Sequence, residues 1–78
     1  MLTEIKLPPL GENLYNGVVV KLLVTVGDTV KAEQPLFELE TGKATIEIPS
    51  SVAGIVKELP IKPGAEIRVG DVVAQIET

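Results

Sequence analysis

The feature that most limits what this chain can fold into is an internal repeat. Gly27 falls on Gly64 when the chain is shifted by 37 positions, and "VTVGDTVKAEQPLFELET" (24–41) then lies over "IKPGAEIRVGDVVAQIET" (61–78). Val24 meets Ile61, Val30 meets Ile67, Leu36 meets Val73, Leu39 meets Ile76, Glu40 meets Glu77 and Thr41 meets Thr78. The upstream segments "GVVVKLL" and "AGIVKEL" correspond too, within one residue of slip at Pro60. In a chain of 78 residues neither copy has enough apolar surface to form a core alone, so each must bury its apolar face against the other. The expectation is one all-β domain over residues 1–78. Two equivalent four-stranded antiparallel units would pack face to face about an approximate two-fold axis.

Glycine and proline punctuate the chain at short intervals, leaving runs of about four to eight residues rich in β-branched side chains. These runs predict strands near 3–7, 17–24, 29–31, 36–40, 45–49, 53–59, 66–68 and 72–77. No window keeps a helical period for ten or more residues. The apolar 45% is nearly all Val, Ile, Leu and Ala, with Tyr15 and Phe37 the only aromatics, so the core is aliphatic.

The same composition removes whole classes of chemistry. With no cysteine and no histidine, the chain has no disulfide, no thiolate or imidazole zinc site, and no Ser-His-Asp or Cys-His machinery. Seven Lys/Arg against eleven Asp/Glu give a net charge of -4, which makes nucleic acid a poor partner. The longest apolar run, Val18 to Val26, is broken by Lys21 and Thr25 and falls far short of the roughly 20 residues of a membrane span. Met1 leads almost directly into "TEIKL" without the pattern of a signal or transit peptide. That makes the cytoplasm the expected location, or the mitochondrial matrix where a leader has been removed. A chain that stops on a predicted last strand also reads as cut before a linker to further domains.

Chemistry concentrates on "LFELETGKATIEIPS" (36–50), where two alternating runs meet at Gly42-Lys43. Folding about that bond pairs Thr41 with Ala44, Glu40 with Thr45, Leu39 with Ile46, Glu38 with Glu47 and Phe37 with Ile48, apolar on apolar and polar on polar. Gly42 in the first central position suits a type II′ turn, since glycine takes φ > 0 without steric cost; a type I turn is the alternative. The turn belongs to the first half alone, because the second half ends at "QIET". Glu38 facing Glu47, with Glu40 on the same face, forms a like-charge cluster costing on the order of a few tenths of a kcal/mol.

Lys43 therefore sits at a hairpin tip beside carboxylates. Schiff-base or general-base chemistry needs a lysine that is buried or placed next to another cation, and this one has neither. Two readings stand on the residues alone: a soluble side chain that blunts edge pairing, or a covalent attachment point open to a modifying enzyme.

Over essentially its whole length the sequence resembles the lipoyl domains of 2-oxo acid dehydrogenase complexes, the N-terminal modules of dihydrolipoyl acyltransferase (E2) chains. The matching stretches are "EIKLPPLGENLYNG", "VTVGDTVKAEQPLFELETGKATIEIPSSVAGIV" and "IKPGAEIRVGDVVAQIE". The family motif usually reads Glu-Thr-Asp-Lys-Ala, and "ETGKA" here places the lipoylated lysine at Lys43, with Glu40, Thr41, Gly42 and Ala44 around it. Glu40 resembles the acidic residue that helps the lipoylating enzyme place the turn. Gly42 stands where the family most often has Asp, which bears on recognition by the partner decarboxylase. The loop 10–17, with Leu10, Gly11, Glu12 and Asn13, resembles the surface loop that discriminates among partner enzymes; its other reading is a plain connector.

The resemblance implies a barrel-sandwich hybrid fold, a flattened barrel of two four-stranded sheets. It implies a monomeric domain with no intrinsic activity, carrying lipoic acid in amide linkage to Lys43 as a swinging arm. Its partners would be a lipoate ligase or lipoyl transferase, a thiamine-dependent decarboxylase (E1), the E2 catalytic core and the flavin enzyme dihydrolipoyl dehydrogenase (E3). A biotin carrier domain is the nearest alternative, but those domains resemble a Met-Lys-Met pattern and the only methionine here is Met1. An unmodified barrel-sandwich adaptor is the other alternative, and it has no reason to keep the residues around Lys43. The lipoyl H-protein of glycine cleavage is a substantially longer chain.

Overall fold

A computed structural model describes all 78 residues. It contains eight strands: β1 (Leu2–Lys6), β2 (Asn16–Leu22), β3 (Thr29–Val30), β4 (Pro35–Glu40), β5 (Thr45–Pro49), β6 (Gly54–Glu58), β7 (Glu66–Arg68) and β8 (Val72–Glu77). Each of the eight expected strands is present, with β2 ending earlier than the apolar run suggested. The strands form two antiparallel four-stranded sheets, ordered β1-β8-β6-β3 and β5-β4-β2-β7, in a flattened body of 33 × 21 × 17 Å. This is a barrel-sandwich hybrid.

Alternation along the strands turns side chains into the space between the sheets, and the consecutive buried pairs Leu36-Phe37 and Val73-Ala74 interrupt that period near the start of β4 and β8. Val19, Leu36, Leu39 and Phe37 enter from one sheet; Val56, Val73, Ile76 and Ala74 enter from the other, and all are essentially fully buried. These are the pairs that the repeat superimposes, so the core is built from the same motif twice.

The repeat extends to irregularities that no hydrophobic pattern encodes. Val20 is an extra residue in β2 against β4, and its counterpart Lys57 is an extra residue in β6 against β8. A bulge of this kind increases local twist and helps a flat pair of sheets wrap into a barrel. The Gly27 N–H donates to the Val56 carbonyl at 2.8 Å, and in the same way the Gly64 N–H donates to the Val19 carbonyl at 2.7 Å. Both glycines have the positive φ (99° and 89°) that these tight turns require.

Those turns correct the expectation that each sheet is one half of the chain. They carry the short strands across, so that β3 joins the sheet of β6 and β8 while β7 joins the sheet of β2 and β4. The halves are interlocked rather than stacked. The first strand takes part too, with β1 lying against β8 as β5 lies against β4.

At one pseudo-equivalent pair the two halves differ in backbone cost. Gly70 has φ 95°, and its counterpart Glu33 has φ 72°. Both amides close the same kind of turn, Gly70 onto the Leu7 carbonyl and Glu33 onto the Ser50 carbonyl. A β-carbon in the left-handed region costs about 1 kcal/mol, partly offset because glycine loses more entropy on folding. Glu33→Gly should therefore stabilise the domain by about 0.5–1 kcal/mol, read as a higher urea midpoint at unchanged slope. A lower midpoint would show that the strain at Glu33 is not real.

Candidate functional site

The β4–β5 hairpin has the register expected from its sequence: Phe37 with Ile48, Glu38 with Glu47, Leu39 with Ile46 and Glu40 with Thr45. The Thr41 N–H closes it by donating to the Ala44 carbonyl at 2.9 Å. Buried Leu39 and Ile48 anchor the base of the hairpin in the core. Gly42, Lys43 and Ala44 at the tip are exposed.

The turn is not of the type that Gly42 suggested. Neither Gly42 nor Lys43 has a positive φ, which excludes type II′ and leaves the type I alternative. The physical reason is in the residue before the glycine. Thr41 Oγ1 accepts from the N–H groups of Lys43 (3.2 Å) and Ala44 (3.1 Å) and donates to the Ala44 carbonyl (2.8 Å). A side-chain oxygen thus takes the bond from the Ala44 N–H that a hairpin ordinarily gives to the Thr41 carbonyl.

Gly42 is accordingly not required by the backbone. A β-carbon built there meets nothing within 4 Å. Gly42→Asp should leave stability within about 0.5 kcal/mol of the parent, measured by urea unfolding, so any change it causes in partner recognition can be read directly. A loss above about 2 kcal/mol would mean that the turn needs glycine after all.

The Lys43 amine has no ion-pair or hydrogen-bond partner. The two ion pairs in the molecule are Met1 with Glu77 and Lys21 with Glu38. The second modifies the acidic cluster expected at the hairpin: Lys21 Nζ lies 3.8 Å from Glu38, which relieves part of the repulsion from Glu47. Glu40 is exposed and makes no ion pair.

Leu10 of the 10–17 loop is half-buried and packs against the core. Gly11, Glu12 and Asn13 are exposed in a turn closed from the Leu14 N–H to the Gly11 carbonyl, with Asn13 at φ 63°. No hydrogen bond or ion pair joins residues 10–13 to the hairpin tip, but the loop runs into β2 beside it. Val18 pairs with Glu40, the last residue of β4 before the turn.

That register also reveals residues the sequence reading passed over. Val18 is exposed next to Glu40, and on its other side Glu66 accepts a 2.8 Å hydrogen bond from the Asn16 amide. The signal for Val18 was available in the β2 alternation, which turns it away from buried Val19.

The geometry is that of an ordered turn offering one unpaired primary amine. Carboxyl-bearing groups can be joined to such an amine without moving any other part of the protein, so Lys43 and its open surroundings fit a covalently held carboxylic acid cofactor. A family model described as "Biotin-requiring enzyme", that of the biotin/lipoyl family, matches residues 3–76. The chain belongs to the biotin/lipoyl attachment family.

Within the family, the chain is 49% identical over 74 residues to a dihydrolipoyllysine-residue acetyltransferase component of the pyruvate dehydrogenase complex from Mycoplasma capricolum. It is 39% identical over 77 residues to the component of the same name from Staphylococcus aureus. These matches cover 95% and 99% of the chain but 17% and 18% of the relatives, so the chain spans less than a fifth of their length. Among solved structures, it is similar to the lipoyl domain of the 2-oxoglutarate dehydrogenase complex from Azotobacter vinelandii. That likeness has a TM-score of 0.75 at 23% identity and covers 96% of this chain and 95% of the other. Part of the Kluyveromyces lactis urea carboxylase has the same fold, with a TM-score of 0.84 and 25% identity over 99% of this chain and 6% of that one.

Proposed function

We propose that the chain is a lipoyl carrier domain of an E2 acyltransferase, with lipoic acid in amide linkage to Lys43. The observation that carries this reading is the unpaired Lys43 amine, held on an ordered, outward turn in a chain whose relatives are named for a dihydrolipoyllysine residue. The dithiolane of lipoate supplies acyl and electron carriage between the decarboxylase, the acyltransferase core and the flavin dehydrogenase.

The contribution of the protein is presentation. Phe37, Leu39 and Ile48 fix the base of the hairpin, and Thr41 fixes its turn, so little conformational freedom remains to be lost at each docking event. Forming the amide removes the positive charge of Lys43 and leaves Glu40 and Glu47 as the charges near the tip. Glu40, Val18 and the neighbouring 10–17 loop make up the surface a partner meets beside the attached group. Gly42, which adds no side chain, leaves that surface without the acidic residue usual at its position.

The relatives point to pyruvate as the 2-oxo acid. Lipoylated domain offered to purified E1 enzymes for pyruvate and for 2-oxoglutarate should be acylated by the first at a far higher kcat/KM. Equal or reversed preference would overturn the pyruvate assignment, and acylation by neither would remove the carrier reading.

A further inference from the structure

The Thr41 hydroxyl is in hydrogen-bond contact with every residue of the turn that follows Gly42. It accepts from the amide of the lysine itself and from the amide after it, and it donates to the carbonyl of Ala44. A two-residue turn of the unprimed type does not match the natural twist of the strands it joins, so it needs support from outside the backbone. The hydroxyl gives that support.

The internal symmetry of the fold provides a comparison. Thr78 is the pseudo-equivalent of Thr41, and its N–H (2.9 Å) and hydroxyl (3.1 Å) both donate to the Met1 carbonyl. The hydroxyl-to-carbonyl bond therefore belongs to both ends of the molecule. At Lys43 the hydroxyl accepts two further bonds, from the amides of the turn itself.

We propose that Thr41 is a positioning residue for lipoate attachment: its hydroxyl, by holding the amides of Lys43 and Ala44, sets the direction in which Lys43 leaves the hairpin. The inference rests on the lipoyl reading. In the reaction it serves, the Lys43 ammonium loses two protons to solvent and its nitrogen bonds to the lipoate carboxyl carbon. One carboxylate oxygen leaves with AMP, and ATP is cleaved to AMP and pyrophosphate. A ligase must bring that nitrogen onto a single carbon, and misplacement on the order of 1 Å slows such a step by up to about a hundredfold. Because the two amides are exposed, water can satisfy them when the hydroxyl is gone. The cost then falls on order and direction rather than on folding.

The test uses the whole 78-residue chain with a lipoate ligase, lipoate and ATP, comparing parent, Thr41→Val, Thr41→Ser and Thr78→Val. Valine keeps the branched shape without the hydroxyl; serine keeps the hydroxyl. Thr41→Val should lose about tenfold or more in the rate of attachment, carried by kcat, while Thr41→Ser and Thr78→Val stay within about twofold of the parent. Unfolding midpoints should stay within about 5 °C of each other. In the parent, amide exchange should show Lys43 and Ala44 protected relative to Gly42, with that protection lost in Thr41→Val and kept in Thr41→Ser. Equal attachment rates for parent and Thr41→Val would overturn the proposal, as would a loss confined to KM, which would make Thr41 a contact for the ligase. A parent chain that accepts no lipoate would remove the lipoyl reading and this inference with it.

Discussion

Gly54→Ala should cost the domain more than about 3 kcal/mol, enough to leave a small fold with ordinary stability largely unfolded at modest denaturant. A β-carbon at Gly54 would lie 2.2 Å from the Glu77 carbonyl oxygen and 2.7 Å from Ile76 Cγ2. Glu77 cannot withdraw easily, because it is paired on one side with Ile55 and on the other with Leu2. Gly17 occupies the equivalent place in the first half. Its β-carbon would meet Leu39 Cγ at 2.7 Å and the Glu40 carbonyl at 2.9 Å. Part of that clash is with a side chain that can shift, so Gly17→Ala should cost less, about 1–3 kcal/mol. Urea unfolding of both variants checks the order; Gly54→Ala within about 0.5 kcal/mol of the parent would mean that strands β6 and β8 do not approach as described.

Lys43→Arg should abolish attachment completely while leaving the unfolding midpoint unchanged. The side chain is exposed and makes no ion pair or hydrogen bond, so nothing in the fold depends on it. Arginine keeps the charge and the length but stays protonated at any working pH and so offers no nucleophilic amine. Lys6, Lys21, Lys31, Lys57 and Lys62 remain in this variant. Intact mass after treatment with ligase, lipoate and ATP should show no addition. An adduct retained on another lysine would mean that the turn geometry does not select the site.

Much of this architecture was legible before any coordinates. Phe37, Leu39, Ala74 and Ile76 follow period-two alternation, and the glycines mark where each run has to stop. The superposition of Gly27 on Gly64 carried the quasi-two-fold relation. What could not be read was the crossing of β3 and β7 between sheets. Strands of two and three residues have too few side chains to declare which sheet they belong to, and only the bonds from Gly27 to Val56 and Gly64 to Val19 decide it.

The hairpin shows a similar division. Its register followed from matching apolar with apolar residues, and Lys43 stood out as the turn lysine. The turn type stays open between II′ and I in the sequence, because glycine is compatible with either sign of φ and the deciding group is a hydroxyl one residue earlier. The ion pair of Lys21 with Glu38 was hidden behind the bulge at Val20, which shifts the β2 register by one residue.

The central claim is that Lys43 is the attachment point and lipoate its cargo. It is tested most directly by incubating the chain with lipoate ligase, lipoate and ATP, and in parallel with biotin ligase, biotin and ATP, followed by intact mass and peptide mapping. The account predicts one lipoyl group per chain, on the peptide containing Lys43, and no biotin. A biotinyl adduct on Lys43, or a lipoyl group on any other lysine, would contradict it.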